Sequence, residues 1–429
     1  MFYTLYNILS LFLLIPVCLY HLYRSVSRSR PAAFAERFGR IPAEKLDIIG
    51  NRPVIWLHAV SVGEAIAARP LLKALRSRYS RYVIVISTTT ETGRGVATEF
   101  TEQDLCIYFP FDFLPAVRRT LDLIRPEMII IMETEIWPNF MREACRRCIP
   151  VILANGRISD RSFGRYSLFS WFFRHPLQQF SALCMQSETD RERIIAIGAP
   201  PVRTMTTGNL KYDIPIRPKT EVERGDLRVD YSISVGLTII TAGSTHPGEE
   251  EQILDTYLEL LKGNDRLFLI LVPRHPERGN EVSGILKRKG LTYRRRSTMG
   301  TATDRMLRGG NVLLVDTIGE LLGLYALSDL VFVGGSLVPT GGHNLLEPAC
   351  VGVPSVFGPH MTNFREITDL VLRYQAGIQV ENETGLMEAF CGLSDDPVQR
   401  RLLGENGLRM MRENGGATER HMAVIADHM

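Results

Sequence analysis

Residues 54–64 read Val54-Ile55-Trp56-Leu57-His58-Ala59-Val60-Ser61-Val62-Gly63-Glu64, a nearly unbroken apolar run that ends in a serine, a glycine and a carboxylate. A continuous run, rather than an alternating one, predicts a strand buried on both faces, as in a parallel sheet covered by helices. Downstream the pattern repeats. Residues 65–79 predict a helix, with Pro70 near its start or kinking it. Apolar runs then follow at 82–87 (YVIVIS), 128–132 (MIIIM), 151–154 (VILA), 182–185 and 202–204. Residues 213–230 (DIPIRPKTEVERGDLRVD) carry prolines and charges and predict a linker. The alternation restarts at 237–242, 267–272, 312–315 and 330–333. Two successive α/β patterns predict two doubly wound domains, 31–212 and 231–429, facing each other across a cleft. The tail from Val398 has helical character and no readable role.

A chain of 429 residues suits two or three domains at about 150 residues each. With 45% hydrophobic and 23% charged residues, it is neither disordered, collagenous nor a polytopic membrane protein. Its 50 basic and 47 acidic side chains leave a net charge of +3, so no nucleic-acid partner is expected. The seven cysteines are dispersed, which suits a reducing compartment. The one C-x-x-C, Cys145 and Cys148, lies among arginines and reads as two helix residues rather than a zinc or redox site.

Residues 1–23 contain no Asp, Glu, Lys or Arg, and Arg24, Arg28 and Arg30 follow. A spanning helix needs about 20 mostly apolar residues, so residues 1–30 are expected to form a membrane anchor with a basic flank. The charges follow the apolar run, unlike in a secretory signal, and they would hold the body of the protein on the cytoplasmic side. Tyr3, Tyr6, Tyr20 and Tyr23 suit the two interfaces. Asn7 and Pro16 leave open a helix lying in the interface, and a helix packed against the body is a third reading.

In open α/β sheets ligands bind beyond the carboxyl ends of the strands. There is no G-x-x-x-x-G-K-[ST], and no G-x-G-x-x-G follows a strand, which argues against a P-loop enzyme and a dinucleotide oxidoreductase. Glu64 is either a general base or an acid favourably placed at a helix start. Glu133 and Glu135 follow the 128–132 run, and alternation would point them the same way if the strand continued. Lys211 in Gly208-Asn209-Leu210-Lys211 reads as an anion contact or a solvated lysine. In the second half, Gly243-Ser244-Thr245-His246 reads as a turn into a helix that could receive a phosphate, and Arg274 can bind phosphate through two parallel hydrogen bonds. Thr317-Ile318-Gly319-Glu320 opens another helix. Gly334-Gly335, then Gly341-Gly342-His343-Asn344-Leu345-Leu346-Glu347, bring backbone close to a ligand and place a carboxylate where it can accept both hydroxyls of a ribose.

Five motifs in this order, S-V-G-E at 61–64, M-E-T-E-I-W-P-N at 132–139, G-N-L-K at 208–211, P-R-H-P-E-R at 273–278 and G-G-H-N-L-L-E-P at 341–348, resemble the 3-deoxy-D-manno-octulosonic acid (Kdo) transferases of lipid A assembly. The resemblance covers roughly residues 50 to 365. It implies a GT-B glycosyltransferase of two Rossmann-like domains, the first binding the acceptor and the second the donor. It implies CMP-Kdo as donor and a tetra-acylated lipid A precursor as acceptor, which suits an inner-membrane location with the catalytic domains on the cytoplasmic face. No D-x-D stands where it would hold Mg²⁺, and Arg274, Lys211 and helix amides could stabilise the leaving group, so no metal or other cofactor is expected. It makes Glu64 the base and Glu133 and Lys211 stabilisers of the transition state. It places CMP on Pro273, Arg274, Ile318, Gly319, Glu320, Asn344, Leu345, Leu346 and Glu347. Two other readings share the scaffold: another GT-B enzyme of envelope lipid glycosylation, and a non-catalytic, membrane-anchored nucleotide-binding protein.

Overall fold

β1 (Val54–His58) is the strand expected from the opening run, and every residue in it is buried. In the computed structural model, which describes residues 2–28, 33–300 and 306–429, it is an interior strand of a seven-stranded parallel sheet. The other strands are β2 (Val83–Thr88), β3 (Leu105–Tyr108), β4 (Met128–Met132), β5 (Val151–Gly156), β6 (Ala182–Met185) and β7 (Thr204–Thr206). Their order is β3-β2-β1-β4-β5-β6-β7, so the direction of winding reverses between β1 and β4. Period-two alternation sorts the side chains to the two faces. Trp56, Ile129 and Ile131 join one core with Phe140, and Ile55, Leu57, Met128 and Ile130 join the other. Each such side chain, fully buried, contributes roughly 1.5–3 kcal/mol.

A second parallel sheet comprises β8 (Thr238–Thr245), β9 (Leu267–Pro273), β10 (Tyr293–Arg295), β11 (Val312–Leu314), β12 (Leu330–Val333), β13 (Ser355–Phe357) and β14 (Gly377–Gln379). Its order is β10-β11-β9-β8-β12-β13-β14, and its reversal falls between β8 and β12. Each sheet, with its helices, forms a compact unit: Met1–Asp213 with Gly415–Met429, and Ile214–Asn414.

Several boundaries differ from the sequence reading. Residues 213–230 are not simply a linker, because Glu221–Asp230 is a helix belonging to the second unit. Its start is a capping box in which Thr220 and Glu223 satisfy each other's backbone N–H groups. The chain after 414 leaves the second unit, to which 231–429 was assigned, and returns to the first. There the helix Ala417–Ala426 is capped by Asp213, which accepts from the backbone of Ala417 and Thr418. The last strand of the first sheet is Thr204–Thr206, with a 3-10 turn, Pro201–Arg203, before it. β3, β10, β13 and β14 are three or four residues each, too short to stand out as apolar runs.

The N-terminal helix, Phe2–Arg28, is long and apolar enough over Tyr3–Tyr20 to cross a membrane, with mean hydropathy 1.7. It lies along the first unit. Gln179 donates to the Tyr3 hydroxyl at 2.6 Å, the Tyr6 hydroxyl donates to Asp112 at 2.7 Å, and Asn139 donates to Asn7 at 2.8 Å. The opposite stripe, Leu5, Ile8, Phe12, Ile15 and Leu19, is exposed, as are Leu168, Phe169 and Trp171 of the same unit. The basic flank falls outside the described residues in the side chains of Arg24 and Arg28 and in the whole of Arg30.

Candidate active site

The first unit's switch point carries the acidic loops. β1 runs into Val60 and Ser61, and Ser61 caps the helix Val62–Arg78. Glu64, in the first turn of that helix, folds back on the strand end. The Val60 N–H donates to one carboxylate oxygen at 2.8 Å and the Ser61 hydroxyl donates to the other at 3.0 Å. One carboxylate oxygen is thereby aimed by the backbone and the other by the capping serine. The turn is held from outside as well: Thr90 donates to the Val60 carbonyl at 3.0 Å, and a Cβ at Gly93 would stand 3.2 Å from Val60 O and Ser61 C. Only glycine at 93 lets the β2 loop pack this closely on the Glu64 turn.

Glu64 is 9% exposed, and burial pushes its carboxyl up to about 7. The Val60 N–H opposes that shift, the Glu133 charge adds to it, and the Ser61 hydroxyl and Lys211 oppose it. Glu133 comes directly after β4, where the strand ends, and its φ is 54°. A left-handed glutamate costs on the order of 1–3 kcal/mol, the kind of strain that collects at functional sites. Its N–H donates to Ala154 O at 2.9 Å, which fixes the kink. Alternation therefore stops at Met132, yet Glu135 is still electrostatically coupled to both other acids. Burial and then the Glu64 charge push it up to about 7. Sequence reasoning missed Glu135 as a site residue, although the E-T-E spacing was its signal.

Lys211 is placed by its neighbours. Leu210 is wholly buried and its N–H donates to the Asn155 side chain at 2.9 Å, while the Lys211 N–H donates to Asn209 at 3.0 Å. The returning C-terminal helix braces the same loop. His421 accepts from the Asn155 N–H at 3.0 Å through Nε2 and donates to Ala417 O at 2.7 Å through Nδ1, as a neutral imidazole whose burial lowers it to about 4. Glu133 and Lys211 both act electrostatically on Glu64.

In the second unit the loops after β8, β9 and β12 meet. Glu249 is fully buried and accepts the N–H groups of His246, Gly335, Ser336 and Leu337 at 2.7–3.0 Å. Of the Gly243–His246 turn, the His246 N–H is thereby taken by a protein carboxylate; the other three amides come from the loop after β12. The four donors oppose the cost of burying the charge, but burial wins and raises the carboxyl above its ordinary value. Arg278 is committed to Glu250 and Glu281, whereas Arg274, at the end of β9, is exposed. Arg274 acts electrostatically on Glu347, whose carboxyl is raised by burial and lowered by the Asn344 side chain and Arg274. Asn344 also accepts from the Leu346 N–H at 3.1 Å.

The remaining expected donor contacts divide by kind. Leu345 and Leu346 are buried, and the Leu346 N–H is taken by the Asn344 side chain. Pro273 is buried at the end of β9, Ile318 is exposed, and Gly319 is left-handed at φ 94°. The Glu320 carboxylate already accepts from Tyr231 at 2.9 Å and Arg296 at 2.8 Å, and from Thr317. A histidine pair was missed. His246 and His343 stack with their Nε2 atoms 2.9 Å apart, and burial lowers both, His343 to about 4.

Residues 32–214 match the family described as 3-Deoxy-D-manno-octulosonic-acid transferase (kdotransferase). The chain is 34% identical over 400 residues to the 3-deoxy-D-manno-octulosonic acid transferase of Haemophilus influenzae, covering 92% of this chain and 92% of that protein. It is 29% identical over 406 residues to the enzyme of the same name from Bordetella pertussis, covering 92% and 91%. Among solved structures, UDP-GlcNAc 2-epimerase from Neisseria meningitidis superposes with a TM-score of 0.56 at 13% identity, covering 87% of this chain and 100% of that one. That likeness is one of fold, the two-domain α/β architecture of the GT-B class. The motifs, their grouping at the two switch points and the end-to-end identity agree: the chain belongs to the 3-deoxy-D-manno-octulosonic acid transferase family of glycosyltransferases.

Proposed function

We propose that the protein moves Kdo from CMP-Kdo to a tetra-acylated lipid A precursor (lipid IVA) in lipopolysaccharide biosynthesis, inverting the anomeric carbon, with Glu64 as general base. The observation that carries this reading is the Glu64 carboxyl, held by Val60 and Ser61 at the strand end and raised to about 7. A base works best with a pKa near the operating pH. Glu64 takes the proton of the acceptor hydroxyl as its oxygen bonds to the anomeric carbon, and the bond from that carbon to the CMP phosphate breaks. The transition state is oxocarbenium-like, so the Glu133 carboxylate stabilises it, and Lys211 balances the acidic cluster. CMP is held by Arg274 at the phosphate and by Glu347, positioned by Asn344, at the ribose; Pro273, Ile318, Gly319, Glu320, Leu345 and Leu346 complete that site through their backbone. The test is incubation of the purified protein with the lipid A precursor and fresh CMP-Kdo, with products read by mass. A product heavier by Kdo is expected; an unchanged acceptor overturns the reading.

Chelation is expected to leave transfer intact, because Arg274 can neutralise the phosphate directly. Activity lost to EDTA and restored by Mg²⁺ on a water-soluble acceptor would contradict this.

The N-terminal helix is proposed to hold the enzyme on the cytoplasmic face of the inner membrane, lying in the interface. Its polar stripe docks on the first unit while the other stripe is exposed and apolar. Removing residues 1–23 is expected to keep a cooperative unfolding transition and CMP binding, and to cut membrane retention. Each of Arg24, Arg28 and Arg30 near an anionic leaflet adds about 1 kcal/mol, so the retention that remains should fall as salt rises. Aggregation or loss of the transition on truncation would make the helix part of the core instead.

A further inference from the structure

Between the N-terminal helix and the first unit lies a cavity of about 240 Å³. It is larger than the ~150 Å³ apolar cavity that accepts a benzene ring. Leu9, Leu13 and Val17 line it from the helix, and Phe109, Phe111 and Trp137 from the body. The charged groups in its wall are already engaged, and Thr89 Oγ1 and Trp137 Nε1 are buried without a hydrogen-bond partner among the described residues. Asp112 accepts from Tyr6 at 2.7 Å and from the N–H groups of Asn139 and Phe140 at 2.9 and 2.8 Å. The buried Arg37 donates to Thr89 O at 2.7 Å and lies 4.3 Å from the centre of the Tyr108 ring. Leu, Val, Phe and Pro side chains make up most of the lining and the charged groups are paired, so the space suits an alkyl chain better than a charged headgroup.

Two observations say which alkyl chain. The cavity wall belongs to the carboxyl edge of the sheet that carries Glu64. Phe109 directly follows β3, Thr89 directly follows β2 and donates its N–H to Val60 O at 3.3 Å, and Val60 in turn donates to Glu64. Leu9 and Leu13 line the cavity and are also 51% and 50% exposed, so its rim adjoins the helix's outward apolar stripe. An acyl chain can therefore leave an apolar phase and enter without crossing water, with its sugar left at the Glu64 edge. We propose that this cavity is a slot for one acyl chain of the lipid acceptor, so that the N-terminal helix is part of the acceptor site as well as an anchor. The proposal rests on the function proposed above.

Leu13→Trp, made in the full-length protein, fills the slot. The readout is kcat/KM for the tetra-acylated lipid A precursor divided by kcat/KM for the same sugar fully de-acylated. A slot that recognises several methylenes predicts that this ratio falls at least ~10-fold in the variant. Val17→Phe fills the same space with a smaller side chain and decides the matter if Leu13→Trp does not fold. Val202→Trp, on an exposed turn of the same unit, should leave the ratio unchanged. If the wild type uses neither acceptor, the proposed function itself fails. If it transfers Kdo but both slot variants keep the wild-type ratio, the function stands and the slot is wrong.

Discussion

Replacing Glu64 with glutamine is expected to lower Kdo transfer by ~100-fold or more while CMP binding stays near the wild-type value, because the proposed base lies in the first unit and the proposed nucleotide site in the second. Glutamine keeps the shape; its carbonyl oxygen can still accept from the Val60 N–H and its NH2 can donate to the Ser61 hydroxyl, so the loop should not move. The wild-type rate should show an acid limb near pH 7, falling as pH drops and Glu64 takes up its proton. Stability moves in the opposite sense. The folded-state value is raised from 4.5 to about 7, so across this window the folded state binds more protons than the unfolded chain. Stability from this group is present below about 4.5 and is lost as pH rises towards 7. Glu64→Gln should therefore be more stable than wild type at pH 8, by up to a few kcal/mol, while being far less active. A variant that is slow because it is misfolded would show the reverse. Retention of most of the rate with saturating donor would remove Glu64 from the base role.

Glu347→Ala is expected to weaken CMP binding ~10- to 100-fold. Hydrogen bonds to a charged group are worth about 1.5–3 kcal/mol, and 1.4 kcal/mol is tenfold in affinity. The Asn344 side chain reaches Glu347 at only 3.4 Å, a weak contact that leaves the carboxylate free to take a better donor such as a ribose hydroxyl. Burial raises this carboxyl too, so ionised Glu347 is a cost to the empty fold, and its removal should not lower the unfolding midpoint through charge. Calorimetric titration with CMP separates the outcomes. Unchanged affinity would return Glu347 to a structural role.

The two predictions differ in how well the sequence supported them. Glu64 was visible because an apolar run must end somewhere, and the residues just past its end are local in sequence: Ser61 caps, Glu64 folds back, and both partners lie within four residues. Glu347 was visible through the glycines at 341 and 342, both left-handed in the structure, which few other residues tolerate. Glu135 was harder to place. The left-handed turn at Glu133 breaks the alternation that would have related the two acids, and nothing in the residue types announces that kink. Glu249 carried no signal of its own. An acid after a glycine turn looks the same in sequence whether it faces solvent or takes four backbone N–H groups from loops as far along the chain as Leu337.

The chain's local chemistry was enough to determine two parallel α/β sheets, the strand ends that carry the acids, and the family motifs, because burial on both faces writes a continuous apolar run and a tight turn writes glycine. Long-range pairing was left to the tertiary structure. It brought the helix Ala417–Ala426 back to brace the Lys211 loop through His421 and Asn155, 266 residues apart in sequence. It also laid the N-terminal helix along the first unit through Tyr3, Tyr6 and Asn7, opening the cavity beside Phe109 and Trp137. Such contacts depend on which surfaces meet after the sheets have formed, and a hydropathy pattern records that a face is apolar without recording what it will cover.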